Sequence, residues 1–312
     1  MGLKTPSPYL HLPLNSCLPI VAYLTKVKEV DLLNLTSSAL ERDWSETKTR
    51  IIRFIRDYIE KAGANGVVLG LSGGIDSCTV AALSSEALGG SKVLGLMLPE
   101  NETKSPRDTK HARLVAKKFE LKIQEIDITN TLATFYTSIQ DFDPSDKVSK
   151  GNIKARTRMS YIYYYANRLG NLVCGSSDKS EAMIGYFTKW GDVAADISPI
   201  MDLYKTQVRN LATHMGIPTE IISKPPTPAL WPGQLAEHEL GMKYDQLDLV
   251  LYGLEHFVNS HEIATQLNIS TKAVNRIKHR WLSAEHKRRM PLTAKFEYRT
   301  VGSDFRLPRI IS

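Results

Sequence analysis

Cysteine is scarce in this chain of 312 residues: Cys17, Cys78 and Cys174 are far apart, odd in number and in no CxxC pair. That argues against a disulfide framework and against a zinc or iron–sulfur site, and it fits a reducing compartment, the cytoplasm. No run of about 18 apolar residues exists, so no membrane span is expected. The fairly apolar stretch from Leu10 to Leu24 after Lys4 is faintly like a secretory leader. Pro13, Pro19, His11 and Asn15 interrupt it, and no small-residue cleavage site follows. Also absent is GxxxxGK[ST], which excludes the commonest phosphate loop. No Ser-His-Asp set or cysteine nucleophile is evident, and Cys78 reads as a small buried helix residue.

What is present is an ordinary globular composition with 40 Lys+Arg against 33 Asp+Glu, a formal +7 that invites a polyanion. Nucleotides satisfy that as well as nucleic acid does. The length suits one large α/β domain or two small ones. Residues 1–40 read as an irregular N-terminal extension and 41–312 as the folded domain with a helical C-terminal part, because no sustained period appears before about Thr36.

The most informative stretch is Val67 to Ser77, VVLGLSGGIDS. Val67, Val68 and Leu69 suit a strand buried on both faces. Gly70, Gly73 and Gly74 permit a tight turn and close approach of a ligand to backbone N–H groups. Ser77 to Leu88 is rich in helix formers, so the turn feeds a helix N-terminus that attracts an anion. Asp76 stands there in place of the usual lysine. A carboxylate beside an anion is repulsive unless a divalent cation lies between them, which points to Mg²⁺ bridged to a polyphosphate.

Ile51, Ile52, Ile55, Tyr58 and Ile59 give a helical stripe starting near Trp44. Val93–Leu98 reads as a second strand, 105–119 as a helix, and Ile123–Ile128 as a third strand. Alternating strands and helices predict an open, mainly parallel sheet, with ligands outside the carboxyl ends of its strands. Asp141–Gly151 is expected to be a mobile loop and Ala155–Leu169 a helix, apolar round enough of its circumference to hint at a subunit contact. Leu172–Ser176 reads as the next strand. Glu181 lies five residues beyond it, placed to share a cation with Asp76.

The string SGGIDS resembles the pyrophosphate loop of the N-type ATP pyrophosphatases. GYFTKWGDVAADISPIMDLYKTQVR, PPTPALWPGQ, NIKARTRM and the EHK at Glu285 to Lys287 closely resemble the ammonia-dependent NAD synthetase family. That resemblance implies helices on both faces of the sheet, ATP as co-substrate and Mg²⁺ as cofactor. The reaction it implies is amidation of deamido-NAD by ammonia through an acyl adenylate, with loss of pyrophosphate and then AMP.

Residue by residue, the resemblance implies that Gly70, Leu71, Ser72, Gly73, Gly74, Ile75, Asp76 and Ser77 hold the ATP phosphates. Ser176 and Thr227 would touch ATP, and Asp76 and Glu181 would ligate the metal. Lys205 would set its ammonium on the phosphates. Lys189, Asp196, His286 and Lys287 match positions that hold the dinucleotide, and Arg156 one more, supplied across a homodimer interface. Asp192 is the candidate to bind ammonium and accept its proton. Ala236 departs from the family, where an acid usually precedes Glu237, and puts closure of that loop in doubt. The residues before the domain are too few for a glutamine amidase, so free ammonia is the expected donor, with a separate glutaminase the alternative.

Two rivals remain open. One is another adenylating pyrophosphatase, of the tRNA-thiolation or GMP synthetase kind, although neither explains FTKWGD. The other is a DNA-binding helix-turn-helix at 261–281, with Ile263, Ala264, Leu267, Ile269 and Val274 packed and Lys272, Arg276, Lys278 and Arg280 outward.

Overall fold

The computed structural model describes residues 33–301. Cys17 and the 10–24 stretch lie outside the described residues. In chain order the elements are α1 (Trp44–Lys61), β1 (Val67–Gly70), α2 (Ile75–Leu88), β2 (Val93–Met97), α3 (Pro106–Lys118), β3 (Lys122–Glu125), α4 (Thr129–Ser138), α5 (Lys147–Leu169) and β4 (Leu172–Val173). They continue as α6 (Lys179–Ile184), α7 (Lys205–His214), α8 (Thr219–Ile222), α9 (Ala236–Leu240), α10 (Tyr244–Glu255), α11 (Ser260–Gln266), α12 (Thr271–Ser283) and α13 (Glu285–Arg288).

The four strands are all parallel in the order β3-β2-β1-β4, with Val67 opposite both Val93 and Leu172. Alternation along β1 sorts the two cores. Val67 and Leu69 join Ile55 of α1, Leu83 of α2, Val115 of α3 and Val208 of α7. Val68 points the other way, to Leu96, Leu132 of α4 and Ala166 of α5. Helices therefore cover both faces, and the strand ends that remain open face the loops after β1, β2 and β4.

Several boundaries differ from the sequence reading, each for a local reason. In α1, Ile51, Ile55 and Ile59 are buried at four-residue spacing, but Tyr58, one step round the helix from Ile59, is exposed. The third strand ends at Glu125; Ile126 and Ile128 each keep a single bond, to the carbonyls of Met97 and Pro99. β4 is only two residues long; Cys174 still donates to Val68 O of β1, and on the opposite edge Asp196 and Ile197 donate to Val173 O while Gly175 donates to the Ile197 carbonyl. The polar stretch expected to be a loop to Gly151 turns helical at Lys147, capped by the Asp146 carboxylate accepting from the Ser149 amide. The sequence reading did not foresee α4.

At the N-terminal edge Leu35 and Leu40 are buried, and Gln207 Nε2 donates to the Leu40 carbonyl at 2.9 Å. Helices α11 and α12 do form the expected pair, with Ile263, Ala264 and Val274 buried. Leu267 and Ile269 are only half-buried. Of the four basic residues expected outward, Lys272, Arg276 and Lys278 are exposed and Arg280 is half-buried, and two of them are also tied to α9. Arg276 Nη2 donates to the carbonyls of Leu240 (3.2 Å) and Gly241 (3.0 Å), and Arg280 Nη1 donates to Glu239 O (3.2 Å). They satisfy helix-end carbonyls that α9 leaves free. Among the described residues no helix is long and apolar enough to cross a membrane.

Candidate active site

At the end of β1 the chain turns through Ser72–Gly74 into α2. Gly73 is required twice over: its φ is +77°, and a Cβ there would lie 2.1 Å from the Asp108 carbonyl. The two serines brace the turn. Ser72 N donates to Ser77 Oγ (3.2 Å), whose hydroxyl donates to the Gly74 carbonyl (3.1 Å). The N-cap of α2 is Gly74, which offers no side-chain acceptor, whereas α3, α5 and α6 are capped by Ser105, Asp146 and Asp178. The first amides of α2 are thus left for a ligand.

Beside that helix end lies the centre of the site. The Lys205 ammonium, on the first residue of α7, donates to Asp76 Oδ2 (2.7 Å), Asp178 Oδ2 (2.8 Å) and Glu181 Oε1 (3.0 Å). One oxygen from each of these three acids lies within 4.8 Å of the others. Three carboxylates around one ammonium leave two formal negative charges uncompensated, and Asp76 Oδ1 is buried with no hydrogen-bond partner. An orphaned oxygen in an oxygen-only donor set that lacks two positive charges fits a hard dication such as Mg²⁺. Burial, then the neighbouring Asp178, pushes the Glu181 carboxyl up to about 8, against the pull of Lys205. The carboxylates raise the Lys205 pKa despite its burial.

Asp178 was not anticipated. It is fully buried, its second oxygen caps α6 by accepting from the Glu181 amide (2.9 Å), and it is the acid that Lys205 meets deepest in the protein. The signal was the Asp-x-x-Glu spacing itself, in which the first acid caps the helix and both acids meet the Lys205 ammonium. A second buried acid, Asp248, ties the two helix starts together. It accepts from Ser180 Oγ (2.5 Å) and from Thr206 N (2.8 Å), while Ser180 Oγ accepts from Lys205 N (2.9 Å).

From this centre a cavity of about 770 Å³ runs along the strand ends. Gly70, Leu71, Ser72, Gly74, Ile75 and Ser77 line it, as do Ser176, Thr227, Asp192 and Arg156. Thr227 Oγ1 also accepts from the Ala229 amide, which turns back with φ +49°.

Asp192 sits on the far wall, where its Oδ1 accepts from the Thr188 amide at 2.8 Å. The turn that aims it runs from Thr188 to Gly191 and holds Trp190 at φ +59°, an uncommon conformation for a bulky side chain. The Asp192 carboxylate reaches the cavity solvent, yet the protein packed around it raises its pKa, only partly offset by the Thr188 hydrogen bonds.

The residues matched to the dinucleotide are distributed unevenly. Lys189, His286 and Lys287 line the cavity, but Lys189 Nζ donates to His286 O (2.6 Å) and Lys287 Nζ to the carbonyls of Gly185 (2.7 Å) and Phe187. Arg156, expected to reach across a dimer, lies on this chain's own cavity wall and donates to Lys189 O. Asp196 is not among the lining residues; its carboxylate accepts from Val173 N (2.7 Å) and from the Tyr163 hydroxyl. Ala236 is buried, and its amide donates to Pro226 O (3.1 Å), so main chain rather than a side chain ties this loop down. Burial pushes the thiols of Cys78 and Cys174 up to about 12, which removes both as nucleophiles at neutral pH.

The chain matches the model of a family described as NAD synthase over residues 47–291. It belongs to the NAD synthase family. The NH(3)-dependent NAD(+) synthetase of Methanocaldococcus jannaschii is 45% identical over 258 residues, covering 80% of this chain and 98% of that protein. That of Hyperthermus butylicus is 44% identical over 253 residues, with coverage of 81% and 91%. Among solved structures, NMN synthetase from Francisella tularensis superposes with a TM-score of 0.73 at 32% identity, over 82% of this chain and 100% of that one. An NH3-dependent NAD synthetase from Campylobacter jejuni gives 0.68 at 29% identity, over 81% and 100%.

The sheet and its two helical layers are accordingly the α/β fold of the N-type ATP pyrophosphatases, and this NAD synthase family member is a ligase. The match begins within α1 and extends past α13, so it takes in the glycine turn, the Lys205 centre and the Asp192 wall together.

Proposed function

We propose that the protein amidates deamido-NAD with ammonia, at the expense of ATP, to give NAD, AMP and pyrophosphate. The observation that carries this reading is the Lys205 ammonium held among Asp76, Asp178 and Glu181 at the open amides of α2, in one cavity with Asp192. The names of the relatives at 44–45% identity, NH(3)-dependent NAD(+) synthetases, support ammonia as the donor and NAD as the product.

In this reading the Gly70–Ser77 turn cradles the ATP phosphates. A carboxylate oxygen of the pyridine acid attacks the α phosphorus, the bond to the β-phosphate oxygen breaks, and pyrophosphate leaves. Lys205, held by Asp178, takes up part of the charge that develops on the leaving group. Mg²⁺, held by Asp76 and Glu181, would add Lewis-acid charge at those phosphates. Ammonia then attacks the acyl carbon and AMP leaves with its electron pair. Asp192 binds the incoming ammonium and accepts its proton, a role that suits a carboxylate whose pKa is raised by its surroundings. The exposed Tyr164 and Leu169 of α5 and Phe135 of α4 are the proposed contact of a homodimer. Free ammonia or a partner glutaminase supplies the nitrogen, and the compartment is the cytoplasm.

A second reading, the same chemistry on the mononucleotide, is favoured by the likeness to NMN synthetase. Pyrophosphate release from ATP with Mg²⁺ decides between them when deamido-NAD, nicotinate mononucleotide and ammonium are each omitted in turn. Release should require deamido-NAD; release that ignores both pyridine acids would sink the proposal. Asp192→Ala should let the adenylate accumulate while amide formation slows about 10²- to 10⁴-fold, the usual weight of a general base. Unchanged amide yield would remove Asp192 from its role.

A further inference from the structure

Most cations on the cavity wall already have a partner within the protein. Lys205 is held by three acids, Lys224 by Asp108, Lys287 by two carbonyls and Lys189 by one. Arg158, two residues beyond Arg156 on α5, differs. Its Nε donates to Leu98 O at 3.2 Å, and Nη1 and Nη2 have no hydrogen-bond or ion-pair partner among the described residues. Neither terminal nitrogen is sealed from solvent, and the side chain lines the cavity. Burial lowers the guanidinium's pKa against the opposing pull of Glu100, Asp192 and Tyr136. A guanidinium stays protonated in a protein, so a half-desolvated one facing a cavity calls for an anion.

Among the described residues no acid provides that anion. Glu100 is already engaged by Lys154 and by the Thr103 hydroxyl. Asp192 acts on Arg158 from a distance, without a bond. Arg158 reaches the Leu98 carbonyl just past the end of β2 and lines the same cavity as Asp192, whose charge acts on it.

We infer that Arg158 is a carboxylate subsite: its terminal N–H groups bind the ionised acid of the acceptor and so distinguish acid substrate from amide product. This inference rests on the function proposed above, in which the reacting carboxylate lies beside Asp192. A guanidinium meets both oxygens of a carboxylate as a bidentate, oppositely charged partner, whereas an amide offers it one neutral acceptor. The carboxylate charge is lost on adenylation and does not return in the amide, so the product leaves without the charge that held the acid in place.

The test is calorimetric titration of the full chain with deamido-NAD and separately with NAD, for wild type, Arg158→Gln and Arg158→Lys. Glutamine can still donate to Leu98 O but carries no charge, and lysine restores the charge. The ratio of the two affinities within one preparation does not depend on the fraction folded. Wild type should bind the acid more tightly than the amide. Arg158→Gln should weaken the acid by about 10- to 100-fold, in line with loss of a charged hydrogen bond, while NAD changes less than about 2-fold. Arg158→Lys should recover part of the preference. Equal weakening of both ligands, a wild-type ratio in Arg158→Gln, or no recovery in Arg158→Lys would each overturn the subsite. Wild-type protein that binds neither dinucleotide would overturn the proposed function itself.

Discussion

Two lysines in this molecule are buried to almost the same degree, and each is surrounded by acids, yet the two knots differ in kind. Lys154, at 0% exposure, meets Glu100 Oε1 (2.9 Å) and Glu102 Oε2 (2.6 Å). Both oxygens of Glu100 are further bonded, one by the Thr103 hydroxyl and the other by the Glu102 amide. Burial alone would raise the Glu100 pKa, but those hydrogen bonds hold it below the ordinary value. Lys205, at 1% exposure, faces three acids, one with an orphaned oxygen, and burial raises the pKa of Asp178 and of Glu181. The first knot is complete and belongs to the framework. The second has more negative charge than its lysine can balance, and that imbalance is what the proposed Mg²⁺ would offset.

The sharpest test removes an acid from the incomplete knot. Asp76→Ala or Glu181→Ala should reduce ATP-dependent pyrophosphate release at least about 10³-fold. The urea midpoint should hold or rise, since excess negative charge is relieved. A variant that unfolds more easily while keeping its rate would erase the distinction between the knots.

Next in size is Lys154→Met, which leaves the buried Glu100 without its cation while Glu102 keeps Lys150, and should cost about 3–5 kcal/mol in urea denaturation. A loss below about 1 kcal/mol would show that the complete knot is not structural.

Acid titration separates the two knots by sign. A carboxylate whose folded pKa is depressed stabilises the fold above its unfolded pKa, and that contribution disappears as pH falls through the folded value. Glu100 therefore predicts that stability declines below the ordinary glutamate value near 4.5. In Lys154→Met that acid limb should flatten, and identical limbs in the two proteins would assign it to other groups.

The smallest effect is expected at α12. Arg276→Ala frees the carbonyls of Leu240 and Gly241 and should cost about 1 kcal/mol, visible as a small drop in melting temperature. If instead it left stability intact and abolished a salt-dependent DNA affinity, the helix pair would be a nucleic-acid surface.

Legibility in the sequence followed range. β1, the glycine turn and α2 are contiguous, so strand burial, the tight turn and the open helix end could be read within some twenty residues. The pairing of Asp76 with Glu181 was reachable from topology, because both follow strands that end on the same edge of a parallel sheet. Asp178 was missed because a cap and a ligand look alike in sequence. Arg158 escaped notice beside Arg156, since only the fold shows that Leu98 O takes one nitrogen and leaves two. β4 was overestimated, and hydrophobicity cannot reveal that the returning Asp196–Ile197 segment bonds to its edge opposite β1.

The sequence by itself determined the alternation of the four strands with most of their helices and the glycine turn that opens α2, because these rest on residue types within one or two turns of chain. Only the tertiary structure decided which charges are matched. Lys205 lies 129 positions from Asp76 and 27 from Asp178, and no local pattern specifies that one buried ammonium will meet three acids across that separation. The sheet brings them together, and burial makes the imbalance count.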